Sequence, residues 1–388
     1  MDSMCGTGKT IQIINYINQN PDKKYLFITP FLTEIERIKK SCPNLKFEEP
    51  PVFGNKIQGL KYLLNKQKNI VSTHSLFRSF DQSVLDLTKF YDYTLIMDEV
   101  ADIVEVVDAT KSDIKLILGE YVSINQNGKV HWTDDTYSGK FDCYKEMCEL
   151  DSMYFYGNPK SGGAFIWMIP KQVFDSFKET FVLTYMFDYQ LQKYYYDYNN
   201  IKYDKYYLLD DKLIYGSLDY NGNKYKNLIT VCDNHKMNKI GDDYYSLAMG
   251  WYKRNKTTVL INELRKNICN YFVNITKTKS KNNLWTTFKE YKTSLKGNGY
   301  SKGFAWLNIR AVNEYSNKIA IAYVVNRFMN PIIKNFFEQN GICINEDGYA
   351  LSELIQFIFR SAVRNGKKVD VYIPSRRERE LLLAWLNK

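Results

Sequence analysis

The stretch Ser3-Met4-Cys5-Gly6-Thr7-Gly8-Lys9-Thr10 reads as a phosphate-binding loop, and it narrows the chain to folds that carry such a loop between a strand and a helix. Gly6 and Gly8 let the backbone turn tightly, so that successive amides converge on a β-phosphate. Lys9 is placed to reach the β- and γ-phosphates, and the Thr10 hydroxyl to sit on Mg²⁺. Ile11, Ile13, Ile14 and Ile17 follow at helical spacing, which aims a helix N-terminus at the anion. A Gly/Ser turn capping an amphipathic helix is the plainer alternative. Such a loop normally follows a buried strand, yet only Met1 and Asp2 precede Ser3. The expectation is a first strand that is missing, lies upstream or is trimmed.

Three short apolar runs mark the next strands: Tyr25 to Pro30, Ile70 to His74 and Tyr93 to Met97. Each ends in polar residues, and helical stretches near 33–40 and 57–65 separate them. That alternation predicts a parallel sheet with crossover helices, with ligands at the carboxyl ends of the strands. Residues 105–165 break the rhythm with ten acids, six bases and several glycines, so they read as a partly looped insertion with helical pieces near 111–120 and 141–150. The strand pattern resumes at Phe181 to Tyr185. Short strands are expected at 206–209, 213–215 and 228–231, then a helix over 259–275. Strands at 284–287, 303–308 and 369–373 and helices near 288–296, 317–339 and 351–364 complete a second α/β unit. The organisation expected is a first domain over 1–190, a connecting region over 191–250 and a second domain over 251–388.

Charge is informative once located. The chain carries a formal net charge of +10, and residues 253–302 alone hold twelve Lys or Arg against two acids. Aromatic residues are interleaved there, Trp285 among them, with Lys289, Lys292 and Lys296 beside it. Cations for phosphates and rings for bases suit a single-stranded nucleic acid. A solvated face over buried aromatics fits the same residues. The 32 tyrosines suggest AT-rich coding before they suggest function. Seven cysteines without a C-x-x-C and three dispersed histidines argue against zinc, and the default is reduced thiols in the cytoplasm. No apolar run reaches the length of a membrane span, and no signal peptide opens the chain.

Asp98-Glu99 closes the Tyr93 to Met97 run, about 88 residues beyond Thr10. An apolar strand ending in two acids supplies the other half of a nucleotide hydrolysis site: Asp98 holds Mg²⁺ through water, and Glu99 polarises the attacking water. Near the C-terminus, Gln356, Arg360 and Arg364 are spaced four apart, on one face of an expected helix. They read either as a solvated face or as arginine fingers that meet charge developing on the γ-phosphate.

Together these segments resemble a superfamily-2 helicase of the DEAD/DEAH type, and more closely phage-encoded helicase-family proteins. SMCGTGKT resembles motif I, FITPFLTEIERI motif Ia, VSTHSLF the DNA-contacting motif after it, and LIMDEV motif II. FVLTYMF stands at motif III with Thr184 retained. GFAWLNIRAVNEY resembles motif V, and QFIFRSAVRNGKKVDVYIP resembles motif VI with its second arginine one residue late and Phe359 in place of glycine. The resemblance implies an α/β fold of two RecA-like domains with parallel sheets plus an insertion, using ATP and Mg²⁺. It implies that Thr29, Pro30, Thr73, His74 and Thr184 face nucleic acid, with basic residues of the second domain opposite. The function expected is an ATP-dependent DNA helicase or translocase in viral replication, with single-stranded DNA favoured, RNA as an alternative and a replication protein as a further partner. A nucleic-acid-stimulated ATPase that remodels a partner, a nucleic-acid binder with a degenerate ATPase core, and a small-molecule kinase are the competing readings.

Overall fold

The computed structural model describes every residue except Phe31, Ser161 and residues 308–312. The chain divides into two units. One comprises Met1–Ser3, Gly8–Gly216 and Asn330–Ile344; the other comprises Met4–Thr7, Ser217–Met329 and Asn345–Lys388.

In the first unit, strands β1 (Lys24–Thr29), β2 (Ile70–Thr73) and β3 (Tyr93–Asp98) pair in parallel. Tyr25 to Thr29 and all of β3 are buried, which is why these strands read as unbroken apolar runs rather than alternating ones. The helix Lys9–Gln19 lays Ile13 and Ile17 on this sheet, against Tyr25, Phe27, Val71 and Ile96. Each such side chain contributes about 1.5–3 kcal/mol on burial.

The segment after β3 has a core of its own. Strands β4 (Val104–Val106), β5 (Val122–Ile124), β6 (Val130–Trp132), β7 (Met153–Asn158) and β8 (Gly162–Met168) form an antiparallel sheet in the order β4-β8-β7 and a β5-β6 hairpin. Helices Lys111–Glu120 and Asp142–Glu149 lie where helical pieces were expected. Ile117 of the first helix packs with Val130, Phe141, Met153 and Phe165 in one core. Gly128 and Gly139 lie outside the strands, as a looped segment predicts, whereas Gly157, Gly162 and Gly163 are strand residues: a Cβ on Gly163 would stand 2.2 Å from the Tyr156 carbonyl oxygen.

Strand β9 (Glu179–Leu183) then joins β3, giving the order β2-β1-β3-β9 with every pairing parallel. Next to β9 come the residues before the loop. Asp2 bridges Thr184 in parallel, the Thr184 amide donates to Met1 at 2.9 Å, and the Ser3 amide donates to Thr184 at 3.0 Å. The residues expected to lack a strand thus occupy that strand's place, with one bridge. Beyond the helix Leu191–Tyr198, β10 (Tyr206–Leu209) and β11 (Lys212–Tyr215) form a hairpin.

The helix Pro331–Gln339 also belongs to this unit, with the Phe336 ring 5.8 Å from Tyr154 and 5.4 Å from Tyr198. It is not part of one long 317–339 helix in the second unit.

The second unit is built on β12 (Ile229–Val231), β13 (Asn283–Thr286), β14 (Ala320–Tyr323) and β15 (Val369–Tyr372), all parallel in the order β12-β15-β14-β13. Strand β14 replaces the first part of the expected helix. Ala-Ile-Ala-Tyr is buried on both faces, and a continuous apolar run carries no period to separate strand from helix. Of the strand expected at 303–308, Phe304 makes a single bridge to Trp285, and residue 308 lies outside the described residues. The whole is an α/β fold of two RecA-like units with parallel sheets and an insertion. Among the described residues, no helix is long and apolar enough to cross a membrane.

Candidate functional site

Gly6 and Gly8 hold φ values of 83° and 88°, a region that glycine enters without strain, and the helix begins at Lys9 directly after Gly8. No side chain caps that helix and no acid sits in its first turn, so its first amides are left for an anion. The Lys9 ammonium donates to the Ser3 carbonyl at 2.6 Å, which folds the lysine back over the loop. The Thr7 hydroxyl donates to the Met4 carbonyl at 2.8 Å and stiffens the turn.

The two residues expected to hold Mg²⁺ meet although 88 residues separate them. The Thr10 hydroxyl donates to the Asp98 carboxylate at 3.2 Å. Burial pushes the Asp98 carboxyl up to about 7, the charges of Glu99 and Glu34 add to the rise, and Arg37 and the Thr10 hydrogen bond oppose it. A divalent cation at this oxygen pair would offset the burial, so Thr10 and Asp98 fit the group they are expected to hold. Glu99 follows with φ at 73°, a left-handed conformation uncommon for a residue with a side chain. Its amide is fixed on the Leu183 carbonyl at 2.9 Å, which turns the chain sharply where the strand ends.

The residues expected to face nucleic acid in this unit divide. Pro30, Thr73 and His74 are half-buried at the carboxyl ends of β1 and β2, and the Thr73 hydroxyl bonds that of Ser75 at 2.8 Å. Thr29 is fully buried, and Thr184 is buried with its hydroxyl donated to Gln190 at 3.0 Å. Thr29 and Thr184 are therefore core positions, not surface ones.

In the second unit the helix Glu346–Ile358 stops before the arginines. Ser361 ends it, donating its hydroxyl to Ile358 at 2.6 Å and starting a separate turn over Ala362–Asn365. Gln356, Arg360 and Arg364 do not share one helical face. Gln356 is half-buried on the helix. Arg360 is buried and donates to the carbonyls of Trp306 at 3.4 Å and Leu307 at 3.1 Å. Arg364 is exposed, and its Cγ lies 3.0 Å from where a Cβ on Gly6 would stand, both residues grouping with this unit.

Trp285 is 0% exposed, edge-on to Tyr300 at 5.3 Å and Phe304 at 4.9 Å, and cannot stack on a base. Trp285→Ala is expected to cost about 3–5 kcal/mol of stability in denaturant unfolding while single-strand affinity per folded molecule is unchanged. The exposed ring is Trp306, at 40%. The Lys289 and Lys292 ammonium groups sit 5.9 Å and 4.9 Å from its centre, and Lys296 is exposed nearby in sequence. Trp306 lies four residues beyond the cation-rich stretch 253–302, so the charge pattern of the sequence does not reach it. The centre of the motif V-like segment, residues 308–312, lies outside the described residues.

Comparison with known proteins adds lineage. A family described as YonV C-terminal Rossmann-like domain matches residues 223–386, and one described as YonV middle domain matches residues 104–167. The solved structure of S. tokodaii Xpd4 covers 99% of this chain and 92% of its own at 11% identity, with a TM-score of 0.46. Mss116p bound to ssRNA and AMP-PNP covers 96% of this chain and 65% of its own at 14% identity, with a TM-score of 0.39. The SPbeta prophage-derived uncharacterized protein YonV of Bacillus subtilis is 40% identical over 407 residues, spanning 100% of this chain and 98% of that protein. With that identity along its whole length, the chain belongs to the YonV family.

Proposed function

We propose that the chain is an ATP-dependent motor on nucleic acid, a DNA helicase or translocase serving viral replication. The observation that carries this reading is the meeting of Thr10 and Asp98 at 3.2 Å, beside a lysine folded over a two-glycine loop. Lys9 and the loop amides bind the β- and γ-phosphates. Thr10 and Asp98 hold Mg²⁺, which neutralises phosphate charge when bound. Glu99 orients the attacking water and takes its proton. Arg364 meets charge developing on the transferred phosphoryl group, whereas Arg360 is a positioning residue that fixes the Trp306 backbone. Single-stranded DNA is the favoured partner. ATP turnover measured alone and with single-stranded DNA, RNA or duplex DNA tests the reading, and turnover that no nucleic acid stimulates would sink it.

Trp306, with Lys289, Lys292 and Lys296, is the nucleic-acid surface of the second unit. Trp306→Ala is expected to weaken single-strand binding by about 1–3 kcal/mol, the range for loss of one base stack. Reversing the three lysines to glutamate is expected to weaken binding further and flatten its dependence on salt, because fewer counterions are then released. Fluorescence anisotropy across a salt series checks both.

A further inference from the structure

Three hydrogen bonds tie the β10–β11 hairpin to the phosphate loop. The Asp2 amide donates to the Tyr206 carbonyl at 2.7 Å, and the Leu208 amide donates to the buried Ser3 hydroxyl at 2.7 Å. On the far side of the loop, the Gln12 side-chain amide donates to the Asp211 carbonyl at 2.9 Å. A two-stranded ribbon has little stability alone, so this one takes its position from the loop it brackets. Its turn, Asp210-Asp211, holds both residues left-handed, at φ 47° and 60°, where Asn or Gly is usual. Two exposed carboxylates are thereby kept beside the helix that the loop opens.

Two large aliphatic side chains stand exposed on this otherwise polar surface, one from the helix and one from the hairpin. Ile11, next to the Mg²⁺-binding threonine, is 59% exposed, and Leu209, next to the turn, is 55% exposed. Large aliphatic side chains left in water beside a polar site are what a partly apolar ligand covers. A nucleotide has a polar end for the loop, hydroxyls in its middle and a flat apolar base at its other end.

We propose that the β10–β11 hairpin is the nucleoside wall of the phosphate site: Ile11 and Leu209 pack on the base, and the Asp210-Asp211 turn presents carboxylates to the ribose hydroxyls. The inference rests on the phosphate-loop reading and adds the part of the substrate that the loop does not hold. Aliphatic contact gives affinity without selecting among bases, so ATP, GTP and CTP compete with similar affinity.

Calorimetric titration of Mg·ATP and of Mg·tripolyphosphate separates the two halves of the site. The full-length protein binds ATP more tightly than tripolyphosphate. The double variant Ile11→Ser with Leu209→Ser loses about tenfold in ATP affinity and keeps its tripolyphosphate affinity, which also reports that the loop is intact. If ATP affinity is unchanged in the variant, or both ligands weaken together, the hairpin only props the loop and the proposal falls. If the wild type binds neither ligand, the phosphate-loop reading fails first and takes this inference with it.

Discussion

Lys9→Ala and Glu99→Gln are both expected to stop ATP turnover, yet to differ in what they leave behind. Lys9 is the cation of the loop, held 2.6 Å from the Ser3 carbonyl, a contact that phosphate oxygens are expected to take over when nucleotide binds. Its loss removes charge that acts on bound nucleotide and transition state alike, so affinity and turnover fall together. Glu99 stands one residue past Asp98 on a backbone turned to φ 73°. Glutamine keeps its length and polarity and loses only the ability to take a proton. Glu99→Gln should therefore bind ATP as wild type does while turnover drops about 10²–10⁴-fold, the usual worth of a positioned general base. Nucleotide titration beside steady-state phosphate release reads both quantities. Turnover in Glu99→Gln near that of wild type would remove Glu99 from the chemistry.

The arginines give the second large effect, and the structure separates what the sequence had grouped. Arg364 is exposed with its Cγ at Gly6, whereas Arg360 is buried on two carbonyls. Arg364→Ala should leave ATP binding nearly intact and lower nucleic-acid-stimulated turnover about 10³-fold, the lower range for an arginine finger. Arg360→Ala should act elsewhere. It unpins Trp306, so single-strand affinity and thermal stability fall along with turnover. Stimulated turnover retained in Arg364→Ala would leave the side chain as a spacer against the loop. Gly6→Ala is a harsher probe of the same contact, since its methyl would crowd the Arg364 side chain and hold an alanine at φ 83°.

Legibility followed burial and sequence distance. Strands β1, β2 and β3 announced themselves because a central parallel strand is apolar on both faces and turns polar only where it meets ligand. The same property hid β14: Ala-Ile-Ala-Tyr is apolar throughout, and alanine tilted the reading toward helix. The place of Asp98-Glu99 at the end of a buried strand was legible from the apolar run before it. Glu99's left-handed backbone was not, since nothing in a glutamate signals it. Trp285 and Trp306 show the limit for surfaces. Both lie near the same lysines in sequence, and only the packing of Tyr300 and Phe304 on Trp285 decides which ring is free to stack. The 356/360/364 spacing implied one face because four-residue steps do so on any helix. A buried Ser361 that ends the helix at Ile358 has no sequence signature strong enough to overrule that.

The helix Pro331–Gln339 also bears on how such a gene can change. It is encoded after most of the second unit yet completes the first, where Phe336 meets Tyr154 and Tyr198. A recombination joint at Gly216 would pair the tyrosines of one parent with the phenylalanine of another. A gene fragment ending there would leave Tyr154 and Tyr198 uncovered. Exchange of coding segments between relatives is thus expected to fail when it joins halves at Gly216, although Gly216 falls at a boundary between compact units.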